Sequence, residues 1–187
     1  MHKILIIGAG QLGARHLQGV LKSEHCLQIT VVDPSNASLL NAQKLGKEIV
    51  LGNENSTVLY LKTMPTHEEY YVTIIATTAG IRAIVTQELL EKNKVKHIIF
   101  EKVLFQKVEE YHSVDMLLNR YKTRGWVNCP RRIYPTYQNL KELLFGEESV
   151  DMEVVGNGWG LACNSVHFID LYAYLTSAPL LSCPSKI

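Results

Sequence analysis

The sequence predicts an α/β protein: a doubly wound parallel sheet followed by a small, incomplete second α+β domain. Three observations carry this. A short apolar strand runs into a glycine turn and a helix at the very start. Strands then alternate with helices six times by about residue 130. Beyond that point the alternation stops. Alternating strands and helices imply parallel pairing with right-handed crossovers. The predicted boundaries are residues 1–130 for the doubly wound domain and 131–187 for the partial second domain.

Lys3-Ile4-Leu5-Ile6-Ile7 is the first strand. Gly8-Ala9-Gly10-Gln11-Leu12-Gly13 follows with the G-x-G-x-x-G spacing of a dinucleotide site. Gly8 allows a tight turn, Gly10 lets the backbone approach a pyrophosphate, and Gly13 lets the helix pack on its strand. The helix start offers N–H groups to phosphates, and Leu12, Leu17, Val20 and Leu21 are its expected inward positions. His16 either packs beside this turn or lies on the helix surface. Gln28-Ile29-Thr30-Val31-Val32-Asp33 is a second strand ending in an acid, 20 residues past Gly13. A carboxylate there accepts from both ribose hydroxyls and repels a 2′-phosphate, favouring NAD over NADP. The bland alternative is that Asp33-Pro34-Ser35 merely caps the next helix.

That helix is expected over 35–45, with Leu39, Leu40, Ala42 and Leu45 apolar and Gly46 as a stop. Ile49-Val50-Leu51 reads as a short third strand, and Tyr60-Leu61-Lys62 as a further one. Pro65 to Glu69 reads as a turn into a short helix. Tyr71 to Thr77 is nearly all apolar or β-branched, as a strand buried on both faces should be. A helix over 81–92, a strand over 97–101, a helix over 108–121 and a strand over 126–129 complete the alternation. Gly8, Asp33, Ala76-Thr77 and Glu101-Lys102 then stand at the carboxyl edge of the sheet, where such folds bind ligands. The candidate cofactor-binding set is Gly8, Gly10, Gln11, Leu12, Gly13, Asp33, Ala76, Thr77 and Glu101.

After residue 130, a helix is expected over 134–145, a half-buried strand over 150–156, a loop over 156–160 that is either a mobile substrate loop or a turn with a buried Trp159, a helix over 164–176, and an irregular tail from Pro179 to Pro184. A lone strand exposes its edges unless it packs on something else, so a homo-oligomer is expected.

Composition excludes several classes. The chain has 187 residues, 47% hydrophobic and 20% charged, with net charge +1. Lysines and arginines are scattered, so neither nucleic acid nor a membrane surface is an expected partner. No apolar run approaches a membrane span. The opening superficially mimics a signal peptide, but its apolar segment runs straight into the glycine turn, so the strand is the better reading. Cys26, Cys129, Cys163 and Cys183 lack metal-ligand spacing, so no metal is expected. They read as reduced thiols of a cytoplasmic protein.

The motifs, taken in order, resemble the Gfo/Idh/MocA oxidoreductases, named for glucose-fructose oxidoreductase and inositol dehydrogenase, whose nucleotide-binding domain is a Rossmann fold. Gly8 to His16 resembles the family's G-x-G-x-x-G-x-x-H, and Glu101-Lys102-Val103 its E-K-P. Arg131-Arg132-Ile133-Tyr134-Pro135, followed by Leu140 to Leu144, is similar to its arginine-bearing entry to the second domain. His167-Phe168-Ile169-Asp170 resembles its H-x-x-D helix. The resemblance implies NAD-dependent hydride transfer to or from a sugar or sugar-nucleotide carbinol. It assigns Lys102 to the reacting hydroxyl and His167 to proton exchange, with Asp170 orienting the ring or capping locally.

There are departures. Val103 replaces a proline that is often cis, and a non-proline cis bond costs about 3 kcal/mol, so a trans bond is expected. Cys163 stands where many members have an aspartate. Ala79-Gly80-Ile81 stands where a proline and histidine are usual. Family members are usually much longer. The rival readings are an NAD(H)-binding sensor or regulatory subunit without chemistry, and a piece of a longer enzyme. For Lys102, an ordinary surface lysine is the alternative; for His167, a core histidine; for Arg131 and Arg132, a solvated pair instead of an anion site.

Overall fold

A computed structural model describes residues 1–147, 149–158 and 160–178. The chain divides into two compact units, Met1–Asn128 and Cys129–Ile187.

The first unit contains β1 (His2–Ile7), α1 (Gln11–Leu21), β2 (Leu27–Val32), α2 (Asn36–Lys47), β3 (Thr57–Leu61), β4 (Glu69–Ile75), α3 (Ala79–Lys92), β5 (Lys94–Phe100), α4 (Val108–Tyr121) and β6 (Arg124–Val127). All neighbouring strands pair parallel, in the order β3-β2-β1-β4-β5-β6. This is the doubly wound sheet, with its order reversing between β1 and β4. The central strands are apolar at successive positions because both faces are covered. Ile4, Ile6, Ile29, Val31 and Ile74 pack with Leu17, Leu21, Leu39 and Ala42 of α1 and α2. Leu5, Ile7, Ile75, Ile98 and Phe100 pack with Leu89, Leu90 and Val114 of α3 and α4.

Several local expectations are corrected. On α1 the buried stripe is Gly13, Ala14, Leu17 and Leu21, which turns Leu12 off the core and leaves it 50% exposed. On α2 the stripe is Leu39, Ala42 and Gly46, so Leu40 is exposed. The helix passes through Gly46, which lies close to Leu17, Leu21 and Tyr60. Residues 49–51 form no strand. The Gly52 amide donates to the Leu21 carbonyl (2.9 Å), tying this segment to the end of α1, and Val50 is 90% exposed. The third strand is β3, whose Val58 and Tyr60 reach the core. Residues 65–68 bend directly into β4 without a helix, with His67 in the left-handed region at φ 61°.

The second unit has a 3₁₀ turn at Pro130–Ile133, α5 (Pro135–Leu143) and α6 (Leu161–Thr176). The strand expected over 150–156 does not form. No other strand lies among the described residues of this unit, so the segment's alternation has no backbone partner. The Val150 carbonyl instead accepts from the Tyr172 hydroxyl at 2.9 Å. Trp159, for which burial in a turn is one expectation, the tail from Pro179 and Cys183 lie outside the described residues. Among the described residues, no helix is long and apolar enough to cross a membrane, and no cluster of metal-ligating side chains occurs.

Candidate functional site

Backbone bonds carry the sheet one residue past β1, β2, β4, β5 and β6 and set the site's edge. The Gly8 amide donates to Val32 (2.8 Å), Asp33 to Leu61 (3.1 Å), Ala76 to Ile7 (2.8 Å), Glu101 to Ile75 (3.2 Å) and Asn128 to Phe100 (2.7 Å). Gly8, Asp33, Ala76 and Glu101 are thereby brought to one side of the first unit, as expected from the strand ends.

The glycine turn is built as its spacing requires. Gly8 has φ 96°, open to glycine and strained for other residues. A Cβ at Gly13 would collide with the Gly8 carbonyl, so α1 sits directly on the turn. A Cβ at Gly10 would meet nothing within 4 Å. No side chain caps α1 and no acidic residue occupies its first turn, leaving its initial N–H groups for an anion. Gln11 and Leu12 form that first turn and are exposed.

Asp33 is pinned. Its Oδ2 accepts from the Ala9 amide (2.7 Å) and its Oδ1 from the Ser35 amide (2.8 Å). The segment 33–35 also starts α2: Ser35 is its cap, with the hydroxyl accepting from the Ser38 amide, and Asp33 holds the Ser35 amide. A carboxylate has about four lone-pair sites, and these two bonds leave capacity for further donors.

Glu101 is buried, 4% exposed. Its Oε1 meets His16 Nε2 at 2.6 Å and accepts from Asn128 Nδ2 at 2.7 Å. Burial pushes this carboxyl up, but the bonds from His16 and Asn128 and the nearby charges of His16 and Arg82 outweigh it, so its pKa lies below the ordinary value. Thr77 turns its hydroxyl inward, where it has no hydrogen-bond partner among the described residues.

Lys102 follows Glu101 on a bend and is half-buried. The Lys102–Val103 peptide is cis, correcting the expectation of a trans bond. That expectation weighed the local preference of a non-proline bond and not the contacts that hold this loop. Those contacts come from Arg82, which sequence reasoning missed. Its Nη1 donates to the carbonyls of Glu101 (2.7 Å), Val103 (2.5 Å) and Leu104 (2.7 Å), and its Nη2 donates to the Thr77 carbonyl. A sequence signal existed: Arg82 shares the inward spacing of Thr86, Leu89 and Leu90 on α3.

In the second unit, α6 carries His167, half-buried. Asp170 is held by Arg132, whose Nε lies 2.9 and 2.8 Å from its two oxygens and whose Nη2 lies 2.5 Å from Oδ1. Donating to the Asp170 carboxylate raises the Arg132 pKa above its ordinary value, against a smaller effect of burial. Arg132 thus carries an ion pair with Asp170 while remaining part-exposed to solvent. Arg131 lies over the Phe168 ring at 4.3 Å. Cys163 is exposed at the start of α6.

A six-stranded parallel sheet with a glycine turn, an uncapped helix start and an acid closing β2 defines a dinucleotide-binding Rossmann domain. The chain belongs to the Gfo/Idh/MocA family: the family described as an oxidoreductase family with an NAD-binding Rossmann fold matches residues 2–129. No curated protein sequence matches. Among solved structures, WlbA dehydrogenase from Chromobacterium violaceum, in complex with NADH and UDP-GlcNAcA, is 15% identical (TM-score 0.69). The alignment covers 93% of this chain and 55% of that one. The apo scyllo-inositol dehydrogenase of Lactobacillus casei is 18% identical (TM-score 0.69), with 95% and 55% covered. WlbA (WbpB) dehydrogenase from Thermus thermophilus, in complex with NAD and UDP-GlcNAcA, is 21% identical (TM-score 0.68), with 94% and 63% covered. The chain thus spans little more than half the length of these enzymes.

Proposed function

We propose that the chain binds NAD(H) at the carboxyl edge of its sheet and serves hydride transfer at a sugar or sugar-nucleotide hydroxyl or ketone. The observation that carries this is the pairing of an open Gly10 with a carboxylate fixed beside it, Asp33 bonded to the Ala9 amide. The N–H groups opening α1 would hold the pyrophosphate, Asp33 the adenosine ribose, and the loop ends at 76–77 and 101 the remaining half. NAD fits these residues, and NADP fits less well, because a 2′-phosphate would face the Asp33 charge. When bound, the nicotinamide supplies or accepts the hydride.

Two roles rest on family resemblance. The Lys102 ammonium donates to the reacting hydroxyl and stabilises negative charge there. His167 exchanges the hydroxyl proton. We assign the two units to cofactor and to substrate or subunit contacts respectively, with a homo-oligomer as the working assembly and the cytoplasm as its site.

Titration with NADH and NADPH, followed by nicotinamide fluorescence, tests the cofactor half. Saturable NADH binding with weaker NADPH binding supports it; binding of neither overturns it. Turnover with UDP-sugars and inositols, lost in Lys102→Ala, tests the enzyme half. The exposed Cys163, in place of a carboxylate one turn before His167, favours a second reading: NAD(H) binding without turnover.

A further inference from the structure

A charged side chain buried without a clear reason is expensive, and Arg82 is 2% exposed. Burial lowers its pKa against the opposing pull of Glu101 and Tyr111, and no carboxylate oxygen accepts from it among the described bonds. Its partners are main-chain carbonyls from two loops: Thr77, after β4, and Glu101, Val103 and Leu104, after β5. One rigid planar fork thus fixes two adjacent strand ends, which a flexible ammonium could not match. These loops lie on the far side of the reversal point from the glycine turn and Asp33. A dinucleotide spans that reversal, one half on each side.

We propose that Arg82 is a positioning residue that holds the loops after β4 and β5 as one wall for the nicotinamide half of the cofactor. The inference rests on the NAD(H) reading and deepens it. Arg82 touches no cofactor atom; it sets the backbone of residues 77 and 101–104, and with it the origin of the Lys102 side chain. The adenosine half, on the glycine turn and Asp33, does not depend on it.

The test compares the full chain with Arg82→Lys and Arg82→Met, measuring affinity for NADH and for ADP by calorimetry and amide exchange by mass spectrometry. Arg82→Lys keeps a charge and serves if Arg82→Met does not fold. The expected result is about a tenfold loss of NADH affinity with ADP affinity unchanged. Faster exchange should be confined to peptides covering 76–78 and 101–105. Equal losses of NADH and ADP, or no loss of either, overturn the proposal, as does exchange that rises equally across 8–14. If the wild-type chain binds neither ligand, the cofactor reading fails, and exchange alone decides whether Arg82 holds the two loops.

Discussion

His16 Nε2 lies 2.6 Å from Glu101 Oε1, joining the helix behind the glycine turn to the end of β5. The two residues are 85 positions apart, so the bond ties the two sides of the site together. Removing His16 leaves a buried carboxylate with one fewer partner. His16→Ala should therefore lower stability by about 1–3 kcal/mol, read as a shift of the urea midpoint with unchanged slope. A variant as stable as wild type would show that the bond does no structural work.

Glu101 gives a pH dependence with a defined sign. Its folded pKa lies below the ordinary 4.5, with burial opposing and His16, Asn128 and Arg82 outweighing it. A depressed folded value stabilises the fold above the unfolded pKa, and this contribution fades as pH falls through the folded value. The stability gap between wild type and Glu101→Gln should close progressively as the pH falls below 4.5. Urea unfolding from pH 7 to 3 measures this; a gap that widens on acidification would contradict it.

Gly10 and Gly13 should separate binding from folding. Gly10→Ala meets open space and has an ordinary φ of −63°. It should fold with stability within about 0.5 kcal/mol of wild type while binding NADH about tenfold more weakly. Gly13→Ala drives a Cβ into the Gly8 carbonyl and should cost about 1–3 kcal/mol. Thermal unfolding and NADH titration of the two variants distinguish the roles.

Asp33→Asn should narrow the preference for NADH over NADPH, because it removes the charge while keeping one oxygen for a backbone donor. Competition between the two cofactors measures this, and an unchanged ratio would remove Asp33 from the ribose site.

How far the sequence reveals this molecule depends on where each interaction lies. The helix over 108–121 coincides with α4, and the glycine turn and Asp33 fall as their spacing implies, because these signals are local. The third strand lies elsewhere because the apolar run at 49–51 is held locally, by the Ile49 amide on Gly46 of α2 and the following Gly52 amide on Leu21 of α1. Alternation at 150–156 misled because a strand needs a neighbour that local pattern cannot supply. Arg82 was missed for a similar reason: its partners are carbonyls, which every residue carries, and no side-chain motif marks which of them will converge.

Asp33 meets both of its backbone donors before any ligand arrives. Its rotamer entropy is lost during folding, not on association, so on the NAD(H) reading the ribose meets an acceptor that is already immobilised. The same anchoring makes the preference hard to invert. Replacing Asp33 by a small residue to admit a phosphorylated ribose would orphan the Ala9 and Ser35 amides together. A change of cofactor would therefore need a compensating acceptor in the turn itself, not one exchange at the end of β2.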